Sequence, residues 1–179
     1  LGGLSGRAVK KWDQFSVGPV IRTAARSIGR SLPEPSRPRY VTSPVVRVMP
    51  GPQTAYFTDE AIRQLTVSPY RVTTESDRMG YRLEGAELPH RASADIVSEA
   101  VCAGSLQVPS NRQPILLMAD CQPTGGYAKL ATMISADRSL AAQLAPGDSL
   151  SFRMVSAQKA SELLRSNRAE LDRLLPPRG

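Results

Sequence analysis

The chain has 179 residues, and 41% of them are hydrophobic, enough to bury a core in one domain with room for part of another. Its net charge of +7 is confined to an arm: residues 1–47 carry nine Lys or Arg against Asp13 and Glu34, and the remainder carries fourteen charges of each sign. That distribution, without interleaved aromatic and basic residues, argues against a nucleic-acid platform, and no apolar run reaches the ~20 residues of a membrane span. Cys102 and Cys121 stand in no metal-ligand spacing with the single His90, so neither zinc nor a disulfide framework is expected.

Residues 1–18 read as a Gly-rich turn and a short strand ending in Phe15 and Val17. The Arg-rich run Ile21 to Arg30 has the flavour of a transit peptide, but the glycines before it and the missing initiator Met argue against a clean presequence, and a cytoplasmic protein is expected. Leu1 at the start points to a fragment or a processed chain. Pro33, Pro35 and Pro38 then exclude a helix or an inner strand and mark a linker.

Val45, Val46 and Val48 make a strand that stops at Pro50-Gly51-Pro52, and Thr58 caps a short peripheral helix with Asp59 and Glu60 in its first turn. Tyr70 and Val72 open a second strand. After a charged turn from Glu75 to Gly80, Tyr81 and Leu83 alternate with Arg82 and Glu84, giving one apolar and one charged face. The charged face is either a solvated surface or part of a site. Ile96 and Val97 lead to Ser98 and Glu99. Leu106 to Val108, closed by Pro109, and Leu150, Phe152 and Met154 are further strands. A final helix from about Ala157 carries Ala160, Leu163, Leu164, Leu171, Leu174 and Leu175 on one stripe, as core packing would require, until Pro176 and Pro177 stop it.

The most suggestive stretch is Gln113 to Ile134, read as strand, loop, strand. Pro114 to Ala119 has no polar face and fits a strand buried on both sides. In the loop, Gly125 and Gly126 let the backbone approach a bound group, and Asp120, Gln122 and Thr124 offer donors and acceptors. A hairpin turn with glycines for its backbone angles would look the same. Three other patterns carry no chemistry. Gly147-Asp148-Ser149-Leu150 has no downstream histidine, no GxxxxGK[ST] phosphate loop is present, and no Ala-Met-Lys-Met sequence marks a covalent biotin site.

Taken in order, the segments Arg47 to Gln53, Ser68-Pro69-Tyr70, Ser76 to Gly85, Asp95 to Glu99, Gly104 to Pro109, Gln122 with Thr124 to Tyr127, Ser135 to Asp137 and the Pro-Gly-Asp turn resemble one family. It is the carboxyltransferase-like family of the 5-oxoprolinase C component, also described as the KipI antagonist or allophanate hydrolase subunit 2. Ala100 and Ala128 depart from its pattern, standing where glycine and proline are expected, and Cys121 fills a variable slot. The resemblance implies a mainly β fold: a cyclophilin-like antiparallel barrel with short peripheral helices and a C-terminal helix. It further implies two subdomains in tandem, with residues 1–42 as a remnant of the first plus the basic linker, and residues 43–179 as the second.

The function implied is that of a component of an ATP-dependent 5-oxoprolinase, which opens a small cyclic amide, 5-oxo-L-proline, to L-glutamate. Its partners would be the other 5-oxoprolinase subunits, a KipI-like B component and an A component, with ATP used in the complex and neither nucleic acid nor membrane bound. Candidate substrate-binding residues are Arg78 or Arg82 as a carboxylate clamp, with Gln107, Asp120, Gln122, Thr124, Gly125, Gly126 and Tyr127 around the lactam. The catalytic residues are not assigned. The alternatives are the carboxyltransferase domain of a biotin-dependent urea carboxylase, and a non-enzymatic regulator that binds a KipI-like inhibitor of a sensor kinase.

Overall fold

A computed structural model of the chain describes residues 4–19, 29 and 31–174. The expected features at Gly2, Gly3 and Leu175 to Pro177, and nearly all of the Arg-rich run, lie outside these residues. The chain separates into two compact units, Leu1–Arg37 and Pro38–Gly179. In the first, Leu4 and Arg7 bridge a turn in which Arg7 forks onto Asp13, and Asp13 to Pro19 have no regular structure, so the short strand expected there does not form. Phe15 and Val17 are exposed; with no strand among the described residues to pair them, an apolar alternation alone does not hold an extended segment.

Among the described residues of the second unit, nine strands form, β1 to β9 in sequence order. Seven of them are β1 (Val45–Pro50), β2 (Tyr70–Val72), β3 (Gly80–Glu84), β5 (Ser105–Gln107), β6 (Ile115–Leu117), β8 (Lys129–Met133) and β9 (Ser149–Met154). These close into a barrel with strand order β1-β8-β5-β6-β3-β2-β9. The other two, β4 (Asp95–Ala100) and β7 (Thr124–Tyr127), form a separate antiparallel ribbon. The barrel is antiparallel except where its first and last strands close it: β1 and β9 run parallel, with Val46 opposite Phe152 and Val48 opposite Met154. Closure removes the free strand edges that an open sheet would expose.

Alternation explains which side chains enter the barrel. Val46 and Val48, Tyr70 and Val72, Leu150 and Phe152 are all buried at two-residue spacing. Leu83, Leu106, Leu116 and Leu130 complete the packing, and each buried side chain of this size contributes about 1.5–3 kcal/mol. Tyr70 packs on Phe152 with ring centroids 5.8 Å apart, and its hydroxyl donates to the Ala86 carbonyl at 3.2 Å. Burial pushes the phenol up to about 12. Helix α1 (Asp59–Val67) begins as expected, the Thr58 side chain accepting from the Ala61 N–H at 3.1 Å. It is less peripheral than its length suggests, because Ala61 and Leu65 are fully buried in the core.

Two short elements follow β8: a 3-10 turn, Ser135–Asp137, and helix α2 (Arg138–Ala141). Asp137 is fully buried, and there it meets Arg47, whose backbone N–H reaches Oδ2 at 2.7 Å and whose guanidinium grips both oxygens. The last helix, α3 (Ala157–Leu174), buries none of its residues, and Leu164 and Leu171 are about half exposed. Its stripe is therefore not core packing. The core is already filled by side chains from the barrel strands, α1 and the connecting segments, Phe57, Leu88 and Leu144 among them, and α3 meets the rest of the unit near the 3-10 turn, where Asn167 donates to the Ala136 carbonyl at 3.4 Å.

Candidate functional site

Gln113 to Ile134 folds as three strands, not as a hairpin with a glycine loop. Strands β6 and β8 are separated in the barrel by β5, and the Thr124-Gly125-Gly126-Tyr127 segment is itself β7, paired with β4 through Glu99 opposite Gly125 and Ala100 opposite Thr124. Local sequence could not show this, because the partner of β7 lies well upstream and β8 pairs with the first strand as well as with β5.

The consequence is a row of side chains on the outer face of the barrel. Arg82 of β3 and Gln107 of β5 both stand opposite Ile115 of β6, so the three share one face of the sheet. Two strand spacings put Arg82 and Gln107 about 10 Å apart along the row. On its far side Gln107 stands opposite Lys129 of β8, where the register slips between Leu106 and Gln107. This bulge keeps Leu130 in the core while turning Lys129 into line with the row.

Over Arg82 and Ile115 the face lies beneath a concavity of about 740 Å³, whose floor is Gln107, Ile115, Leu117, Gly80 and Arg82. The β2–β3 loop from Thr73 to Asp77 and the β5–β6 loop around Asn111 form its walls, and Gln122 and Tyr127 border it from the β7 side. Asp77 shapes the first loop by accepting from the Met79 and Gly80 N–H groups at 2.8 and 3.1 Å, and Ser76 ties it to the Arg82 backbone. Gly80 leaves room in the floor, since a Cβ there would lie 3.1 Å from Ile115 Cγ2.

The ribbon β4–β7 covers the other end of the row. Gly125 sits so close to Gln107 that a Cβ would fall 2.6 Å from Nε2, so its lack of a side chain is what admits the carboxamide. Gln107 itself is 2% exposed, and Nε2 donates to the Tyr127 carbonyl at the long distance of 3.5 Å. Beside it, the buried Lys129 ammonium pairs with Glu99 of β4, which also accepts from Gln53 Nε2 at 2.5 Å. Gln53 in turn accepts from the Lys129 N–H at 3.2 Å. Lys129 and Gln53 hold the Glu99 carboxyl below its ordinary value. Sequence reasoning misses this clasp; its one signal is a lone lysine inside the apolar run Ala128 to Ile134.

The candidates thus divide. Arg82, Gln107, Gln122 and Tyr127 line the concavity, Gly125 backs Gln107, and Gly126 and Thr124 lie in the ribbon. Arg78 and Asp120 form an exposed ion pair at 2.9 Å and are not among its lining residues. Arg82 is held only loosely, 3.9 Å from Glu75, and is free to reach a ligand. Where the resemblance leads one to expect proline, the Ala128 N–H donates to the Ala94 carbonyl at 3.0 Å, a bond proline cannot make.

Comparison with known proteins agrees with this architecture. Residues 1–154 match the carboxyltransferase domain, subdomain A and B. The chain is 36% identical over 178 residues to the C component of 5-oxoprolinase from Haemophilus influenzae, covering 97% of this chain and 54% of that protein. It is 34% identical over 161 residues to the C component of 5-oxoprolinase from Escherichia coli K12, covering 89% and 49%. The chain therefore spans about half the length of these curated relatives. The solved structure of K. lactis urea amidolyase superposes with a TM-score of 0.74 over 80% of this chain and 9% of that one; at 22% identity this shows a shared fold. A match over most of the chain, relatives above 30% identity and the barrel itself all agree: the chain belongs to the carboxyltransferase domain family, subdomains A and B.

Proposed function

We propose that this chain is the C-type component of a cytoplasmic, ATP-dependent 5-oxoprolinase, opening the lactam of 5-oxo-L-proline to L-glutamate with a KipI-like B component and an A component. The observation that carries the reading is the agreement with two 5-oxoprolinase C components over 97% and 89% of this chain. The concavity is compatible with such a substrate. Arg82 offers a bidentate partner for the carboxylate, Ile115 and Leu117 give an apolar floor for the ring methylenes, and Gln107 and Gln122 provide amides for the lactam.

The same concavity does not fit ATP. Glu75, Asp77 and Glu84 line it against the one cation Arg82, so a triphosphate would meet more negative than positive charge, and the sequence holds no phosphate loop. On this reading the chain's residues hold and orient the lactam, and activation of the amide is supplied elsewhere in the complex. The test is glutamate and phosphate release on adding 5-oxoproline and ATP to the A and B components with and without this chain. Release that requires the chain supports the reading. Equal release without it, or none with it, removes it.

A further inference from the structure

Gln107 is a buried carboxamide with more hydrogen-bonding capacity than the protein uses. The group has two N–H donors and an oxygen with two lone pairs. Among the described residues it makes one bond, Nε2 to the Tyr127 carbonyl at 3.5 Å, and Oε1 meets no protein donor. The side chain is 2% exposed and lines the concavity, so its unused capacity is open to whatever occupies that space. Its neighbourhood is also built for it, since Gly125 gives up a side chain to admit Nε2 and the Lys129–Glu99 pair holds the ribbon against it.

We propose that Gln107 is the specificity-determining residue of this site and that it recognises the edge of a cis amide. A lactam presents its N–H and C=O side by side, as urea does, and this edge is complementary to a primary carboxamide. Oε1 accepts the lactam N–H, while the Nε2 hydrogen on the same side as Oε1 donates to the lactam oxygen. The other Nε2 hydrogen remains on Tyr127. Arg82, on the same face two strands away, is then placed to take a carboxylate carried by the ring. The assignment rests on the lactam reading above and adds to it which group reads the amide. Proline, which lacks the carbonyl, and a lactone, which lacks the N–H, each forfeit one of the two bonds.

The test is a pair of small probes on the full chain: 2-pyrrolidone and N-methyl-2-pyrrolidone, which differ at the N–H. The readout is the ¹⁵N-detected side-chain NH₂ signal of Gln107, assigned by its loss in Gln107→Met. 2-Pyrrolidone is expected to shift that signal and to bind about tenfold more tightly than its N-methyl form, the size of one good hydrogen bond. In Gln107→Met the two probes bind alike. Equal binding to the wild-type chain, no shift with either probe, or a preference that survives Gln107→Met overturns the assignment. The wild-type comparison needs no variant and so does not depend on how Gln107→Met folds. A complex that turns over no 5-oxoproline while the N–H preference holds removes the reaction and keeps Gln107; turnover without the preference removes Gln107 alone.

Discussion

At the scale of single residues, the absence of a side chain at 125 matters as much as the presence of one at 107. Gly125→Ala forces a methyl group into the space of Gln107 Nε2, and a displacement of that order is enough to misalign a hydrogen-bonded pair. The variant should bind 5-oxoproline about tenfold more weakly in calorimetric titration while still unfolding cooperatively. Arg82, Gln107 and Gly125 are legible in the sequence as candidates because their residue types are those of ligand recognition. Ile115 and Lys129 are not, since an isoleucine in a strand and a lysine in an apolar run acquire meaning only from the register that sets them beside Gln107. Arg78 and Arg82 look alike in sequence. Strand alternation puts Arg82 on the outer face of β3, whereas Arg78 falls in the preceding turn and finds Asp120.

His90 is a residue of stability. Its ring lies 4.6 Å from that of Phe57 and its Nε2 bonds the Val108 carbonyl at 3.0 Å. Burial lowers its pKa from the ordinary 6.5 and outweighs the bond to Val108, which raises it; Arg112 and Asp95 add smaller lowering and raising effects. The unfolded chain therefore takes up a proton at higher pH than the folded one. Stability attributable to His90 is complete above 6.5, falls as pH drops below it, and is fully lost below the folded value. Urea unfolding followed from about pH 8 to about pH 5 should show this slope, and His90→Gln should flatten it.

Among the elements, the strands are the easiest to read, because alternation over β1, β3 and β9 is strong and local. The start of α1 is equally clear, and Thr58→Ala should lower stability by about 1 kcal/mol in urea titration by removing the cap. The ribbon β4–β7 is hidden for a physical reason: β4 is mostly exposed, Val97 at 91%, so it carries no apolar alternation, and two glycines in β7 imitate a turn. Helix α3 misleads in the opposite sense. Its leucines fall on one stripe, but a stripe shows only that a helix is amphipathic, not that a surface waits to cover it. The contact of β1 with the 3-10 turn rests on a buried charge. Asp137→Ala strands Arg47 and its N–H, and should cost about 3 kcal/mol, measured by the same titration.

For the molecule as a whole, the family resemblance supplies what local patterns do not, namely that the strands close into a barrel. It gives no account of where on the barrel a ligand would lie. That follows from topology: β5, β6 and β3 are neighbours in the barrel though β3 lies far from the others in the chain, and their pairing assembles Gln107, Ile115 and Arg82 into one row beneath one concavity. The glycines that look like a loop in the sequence belong to β7, and Gly125 there lies against Gln107 of that row. The most direct check of this site is the Michaelis constant for 5-oxoproline in ATP hydrolysis by the complex, compared between Arg82→Ala and Arg78→Ala. Loss of a charge-assisted bond to the carboxylate predicts a rise of about ten- to a hundredfold for Arg82→Ala and less than about twofold for Arg78→Ala. The reverse order, or equal effects, would contradict the placement of the site on the β5–β6–β3 face.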